Sequence, residues 1–243
     1  GNMTMNHYTI LMMGRNSIDW IDDSVHSALN QNHENFEVIA IDAESDDGTY
    51  EFLEAINDDR LRLYRNEKRQ YQSQNVFDGC RLAKEGSIVV TLDFDDMLIY
   101  EEVLSTLDKY YDDNTWMTYG SFISGSKYKS FGRYSDQIIQ ENAFRKDAWR
   151  ATHLRTFRRE LALKIKEEDF RGPSGEWITS AGDLVFMWPM LEMCGDRFKF
   201  IDEGLYLYNA YNPDSEFRAC PDEVKEYEGF LRSKNPYQRI DTL

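Results

Sequence analysis

Short, continuous apolar runs alternate along this chain with stretches whose apolar residues recur every three or four positions. Residues 8–13 are apolar apart from Thr9 and are closed by Gly14-Arg15-Asn16, which predicts a buried strand. Ile18, Ile21, Val25, Ala28 and Leu29 then fall on one helical face, with Asn16 or Ser17 placed to cap it. Residues 36–41 predict a second strand, closed by the acidic turn at 42–49. Tyr50, Leu53 and Ile56 mark a second helix, and residues 61–64 a third strand. Val76, Cys80 and Ala83 share the face of a third helix that stops near Gly86. A fourth strand at 87–92 runs into Asp93-Phe94-Asp95-Asp96.

This repeated alternation with short connections predicts an α/β fold, a mostly parallel sheet with helices on both faces. Beyond residue 100 the pattern loosens. A helix is expected at 101–111, a strand at 116–122, and a mobile loop rich in Gly, Ser, Lys and Tyr at 124–135. A helix at 158–166, a Gly/Pro loop at 171–175, a helix at 183–193 and a strand at 198–208 follow. The expectation is one domain over 1–243. It has a nucleotide-binding half at about 8–100, a less regular half at about 101–212, and a charged, peripheral tail at 213–243.

At 41% hydrophobic and 14% aromatic the chain can fill a sizeable core, which excludes general disorder. Its 28 basic and 44 acidic residues give a net charge of −16, which opposes general binding to nucleic acid or to anionic membrane surfaces. Cys80, Cys194 and Cys220 are far apart and form no C-x-x-C pair, so neither a zinc site nor a disulfide framework is indicated. The apolar runs are strand-sized, too short to span a bilayer. A cytoplasmic protein is the expectation.

Four places carry candidate chemistry. Asp93, Asp95 and Asp96 follow a buried strand, where three carboxylates call for a balancing cation, and Mg²⁺ or Mn²⁺ takes oxygen ligands of this kind. Ligands also bind beyond the carboxyl ends of strands in parallel sheets. Asp42 ends the second strand, and a turn-capping role suits Asp47 and Thr49 but leaves Asp42 unexplained. Asp183 opens a helix, where a carboxylate serves as a cap or as a catalytic group. Residues 152–159 form the main basic cluster, either surface charge balance or an anion-docking site, with Arg155 as the candidate donor contact. Trp177 is a candidate stacking platform or a loop plug.

Taken in order, these segments resemble family 2 glycosyltransferases of the GT-A fold over about residues 8–212. The resemblance rests on the strand ending in Arg15-Asn16, the Ser24-to-Gln31 helix, and the segment 36–49. It is completed by Leu92-Asp93-Phe94-Asp95-Asp96 and the late segment 200–208. It implies that Asn16 and Asp42 contact the donor nucleotide, with Asp42 against the base. It further implies that Asp93, Asp95 and Asp96 hold Mn²⁺ or Mg²⁺ on the diphosphate and that Asp183 is the general base. The sequence departs from the pattern at Ala43 (commonly Asp), Gly182 (Glu before the base) and Asn209 (Arg or His). The expected activity is metal-dependent, inverting transfer from a UDP-sugar to an acceptor hydroxyl. The alternatives are a catalytically silent nucleotide-sugar binder and an Asp-x-Asp phosphohydrolase.

Overall fold

The computed structural model describes residues 5–213 and 220–243. Its first half follows the apolar pattern. Strands β1 (Tyr8–Gly14), β2 (Phe36–Asp42), β3 (Leu61–Arg65) and β4 (Ile88–Asp93) run parallel in the order β3-β2-β1-β4. Helices α1 (Ile21–Leu29), α2 (Thr49–Glu54) and α3 (Gln72–Leu82) lie in the connections between them. β1, β2 and β4 are mostly apolar and almost wholly buried because both sheet faces are covered. The pleat divides their side chains between two layers. Leu11, Met13, Ile39 and Val89 pack with Val76 and Cys80 of α3, whereas Ile10, Met12, Val38 and Val90 pack with Ile21, Val25 and Ala28 of α1. A shared direction also brings the carboxyl ends together, with Gly14 level with Asp42 and Met13 level with Asp93.

The second half continues the same sheet with mixed directions. It contains β5 (Met97–Leu98), α4 (Val103–Asp108), β6 (Met117–Ser124), β7 (Lys127–Lys129), α5 (Asp136–Gln140) and β8 (Thr156–Arg158). Then come α6 (Arg159–Ala162), α7 (Gly182–Cys194), β9 (Phe198–Tyr208) and α8 (Pro221–Arg232). The order beyond β4 is β8-β6-β9-β5, with β7 paired to β6. β8 is antiparallel to β4 and β6, whereas β6 and β9 are parallel.

Several expectations are corrected. α1 begins at Ile21, because the Ser17 carbonyl accepts from the Trp20 and Ile21 amides and makes a tight turn first; neither Asn16 nor Ser17 caps the helix through its side chain. The 124–135 stretch is no simple loop, since it carries β7 and ends in the fully buried ring of Tyr134. The helix expected at 158–166 shrinks to α6, with β8 before it.

The C-terminal tail is not peripheral. Residues 214–219 lie outside the described residues, but α8 buries Leu231 beside α7, and Val224, Tyr227 and Phe230 pack on the same core. The cause is α7 itself. From Leu184 to Cys194 it is buried on every side, so it needs cover all round. A buried ion pair between Arg145 and Glu192 (2.8 Å) secures that cover, with Arg145 also donating to the Leu231 carbonyl and the Tyr237 amide donating to Glu192. Among the described residues, no helix is long and apolar enough to cross a membrane.

Candidate functional site

β4 delivers Asp93 to the carboxyl edge of the sheet, and the chain then folds back over the end of β1. The Phe94 amide donates to the Met13 carbonyl (3.0 Å), and a Cβ on Gly14 would lie 2.7 Å from the Phe94 Cβ, so only glycine admits this approach. The turn sets Asp96 inward and buried, where it accepts from the Tyr206 hydroxyl and the Asn209 amide. Asp95 accepts from the Asn212 side chain (2.7 Å). Ligand atoms of Asp93, Asp96 and His153 lie within 4.8 Å of one another. The His153 ring stacks on Tyr206 with centroids 4.0 Å apart.

This centre is short of positive charge. Burial and the neighbouring Asp95 push the Asp93 carboxyl up to about 7, against the pull of Arg155. Burial first, then Asp95 and Asp93, hold the Asp96 carboxyl well above the usual range, and burial also raises Asp95. Burial and the Arg155 charge hold His153 well below its ordinary value, so near pH 7 it is a neutral imidazole, the form that ligates metals. Two carboxylates and a neutral imidazole form a donor set suited to Mn²⁺ and similar divalent ions. The expected third aspartate ligand, Asp95, falls outside this group of three; His153 stands in it.

Across the cleft, Ala181 takes a left-handed conformation (φ 55°) immediately before α7, an arrangement that costs about 1–2 kcal/mol for a residue with a Cβ. It sets Asp183 in the first turn of α7, where it meets Arg155: Nη2 donates to Asp183 Oδ2 at 3.0 Å. Arg155 is 5% exposed, and its Nε is held by the Ala151 carbonyl. The basic cluster at 152–159 is therefore not a surface. Residues 152–157 are buried, while Arg158 and Arg159 donate to main-chain carbonyls of Asp112, Thr115 and Cys80. Two other carboxylates of this region have their own partners. Glu192 pairs with Arg145, and Glu176 accepts from Tyr227. Trp177 packs edge-on against Phe77 and beneath Arg171, which is the plug arrangement.

At the end of β2, Asp42 is fully buried. Its Oδ2 accepts from the Ser45 amide (2.9 Å), while Oδ1 has no partner. Asn16, with φ 50°, braces the loops after β1 and β2: its Oδ1 accepts from the Asp46 amide, and its own amide donates to Ser45. Asp47 forms a turn ahead of α2, accepting from both the amide and the hydroxyl of Thr49, while Gly48 takes the N-cap position.

A cleft of about 830 Å³ unites these groups, within the range of small-molecule sites. Asn16, Asp93, Asp95, Asp96, Arg155 and Asp183 all line it, whereas Asp42 sits one residue behind the wall, at Ala43. The sequence pattern does not single out His153, Tyr206, Arg15 and Arg69. Of these, His153 was visible only as a member of the basic cluster, and Tyr206 only as part of a late strand.

The family model described as Glycosyl transferase family 2 matches residues 9–173, more than half of the chain, and the chain belongs to that family. An uncharacterized glycosyltransferase of Rickettsia bellii (strain RML369-C) is 28% identical over 123 residues, which is 51% of this chain and 17% of that protein. S. aureus TarS 1–349 in complex with UDP-GlcNAc aligns with a TM-score of 0.66 at 17% identity, over 90% of this chain and 64% of that one. The mannosyltransferase PcManGT from Pyrobaculum calidifontis, in complex with GDP-Man and Mn²⁺, gives 0.64 at 17% identity, over 96% and 67%. At these identities the likeness concerns the fold, which is GT-A. Family membership sets aside the phosphohydrolase alternative.

Proposed function

We propose that this chain transfers a sugar, with inversion, from a UDP-sugar to an acceptor hydroxyl, using a divalent cation. The observation that carries the reading is the meeting in one cleft of the Asp93–Asp96–His153 group and of Asp183 held by Arg155. Asp93, Asp96 and His153 would hold Mn²⁺ or Mg²⁺, with Asp95 beside them. When bound, the ion supplies positive charge for a leaving diphosphate. Arg15, whose buried Nε has no partner, and Arg69 line the same cleft and suit the diphosphate oxygens.

Asp183 is the general base. Arg155 occupies Oδ2, which leaves Oδ1 to take the acceptor proton as the acceptor oxygen bonds to the anomeric carbon and the carbon–phosphate oxygen bond breaks. Asp42 favours uracil over guanine. One oxygen is already bonded to Ser45, so a single acceptor remains, which suits the one N3–H of uracil better than the paired donors of guanine. Arg65 lies 3.7 Å away on the Oδ2 side, which leaves Oδ1 for the base. The division of labour would put the donor nucleotide on the first half and the acceptor on the second. The free, buried thiols of Cys80 and Cys194 suit a reducing, cytoplasmic setting.

The test is calorimetry with UDP in Mn²⁺ and in EDTA, followed by a donor-hydrolysis assay with the UDP-sugars that bind. Much tighter UDP binding with Mn²⁺ and measurable hydrolysis are expected. Equal affinity in both buffers overturns the metal bridge, and tight binding without turnover of any donor leaves the silent binder.

A further inference from the structure

Five uncharged polar side chains line the cleft near Asp183: Gln70, Gln72 and Asn75 around the start of α3, and Thr179 and Ser180 before α7. Thr179 is already bonded, to Glu223. Asn75 and Gln70 are not so settled. Asn75 is only 2% exposed and its Oδ1 has no hydrogen-bond partner; the buried Gln70 Oε1 has none either. Each residue thus leaves a buried polar atom at the cleft wall without a partner, which is costly unless a ligand completes it.

A second observation points to the same wall. The family pattern places Glu before the base, but residue 182 is Gly. A Cβ there would lie 3.0 Å from Gln72 Oε1 and 3.1 Å from the Ser73 amide nitrogen. Glycine thus lets the first turn of α3 close against the first turn of α7, and neutral amides flank the base where the pattern has a carboxylate. The remaining charge on the cleft wall is mainly negative. Asp93, Asp95, Asp96, Asp183, Glu223 and Glu228 line it against Arg15, Arg69 and Arg155.

We propose that Asn75, with Gln70, reads the hydroxyl or amide groups of the donor's sugar ring, and that this sugar is a neutral pyranose rather than one bearing a carboxylate. Unpaired neutral amides select polar, uncharged ring substituents, while the surrounding carboxylates repel an acidic sugar. The inference rests on the nucleotide-sugar reading above.

The experiment measures binding of UDP, UDP-glucose, UDP-GlcNAc and UDP-glucuronate, in Mn²⁺, to the parent and to Asn75→Ala and Gln70→Ala. The parent should prefer a neutral UDP-sugar to UDP-glucuronate by at least about tenfold, and Asn75→Ala should lose about tenfold for that sugar while binding UDP within about twofold of the parent. Gln70→Ala lies nearer the surface and provides the same comparison if Asn75→Ala fails to fold. Parent-like affinity for the neutral sugar in the folded variants, equal losses for UDP and the UDP-sugar, or no discrimination against UDP-glucuronate overturns the inference and leaves the donor reading standing. A parent that binds none of the four ligands overturns both.

Discussion

The two halves of the sheet supply different parts of the cleft by different means. In the first half, parallel strands present their carboxyl ends at one edge, so Asp42 and Asp93 arrive there because of strand direction alone. In the second half, β8 reverses direction; His153, Arg155 and Asp183 reach the cleft from a buried segment and a helix start, and Tyr206 supports them from near the end of β9. On the proposed function, topology presets the nucleotide end, whereas side-chain contacts assemble the reacting end. Substitutions at His153, Arg155, Asp183 and Tyr206 should therefore change chemistry or metal affinity, and those at Asp42 should change nucleotide recognition.

The sharpest way to break this contrast is Asp183→Asn. Transfer should fall on the order of a hundredfold or more, the range for a lost general base, with UDP and Mn²⁺ affinity unchanged by calorimetry. Asn caps a helix about as well as Asp, so a mere capping role would leave turnover near the parent's.

His153→Ala should weaken Mn²⁺ binding by at least about tenfold, and Tyr206→Phe by a comparable or smaller factor, because Tyr206 both orients Asp96 and carries the His153 ring. Titration of Mn²⁺ followed by tryptophan fluorescence or calorimetry would show it. Unchanged affinity in His153→Ala would return the third position to Asp95.

Asp42→Ala should weaken UDP about tenfold, the scale of one lost hydrogen bond to a charged group, while the ratio of UDP affinities in Mn²⁺ and EDTA stays that of the parent. A change in that ratio would mean the two ends of the cleft are not separable.

The smallest effect concerns pH. Folding raises the Asp93 carboxyl from an ordinary value of 3.8 to about 7, so between those values the unfolded chain binds fewer protons than the folded one. Stability from this group is therefore lost as pH rises from about 4 to 7, and a bound divalent ion offsets the loss. In EDTA, Asp93→Asn should raise the melting temperature relative to the parent by a few degrees at pH 8 and by little at pH 4. His153, held neutral, acts in the opposite sense by destabilising the fold as pH falls through 6.5, but it is common to both proteins and cancels in the difference. Equal differences at the two pH values would show that Asp93 is not strained by its neighbours.

Sequence determined the parallel core and its chemistry at the strand ends. The runs in β1, β2 and β4 are legible because burial on both faces demands mostly apolar residues, and Asp42 and Asp93 are conspicuous as charges at the ends of such runs. Helix α7 was legible for the same reason, and with it the place of Asp183. What lay beyond reach has a common cause. β8 is three residues long and owes its existence to pairing with β4 and β6, not to local pattern. Arg155 reads as surface charge or as an anion contact, and only the fold buries it against Asp183. Tyr206 reads as a core strand residue until β9 brings its hydroxyl to Asp96, and α8 reads as a polar tail until α7 requires cover. Local sequence fixes which residues are apolar and where the chain turns; only the tertiary structure decides which distant polar groups meet in a buried place. It is there, out of water, that a carboxylate, an imidazole and a guanidinium become a site.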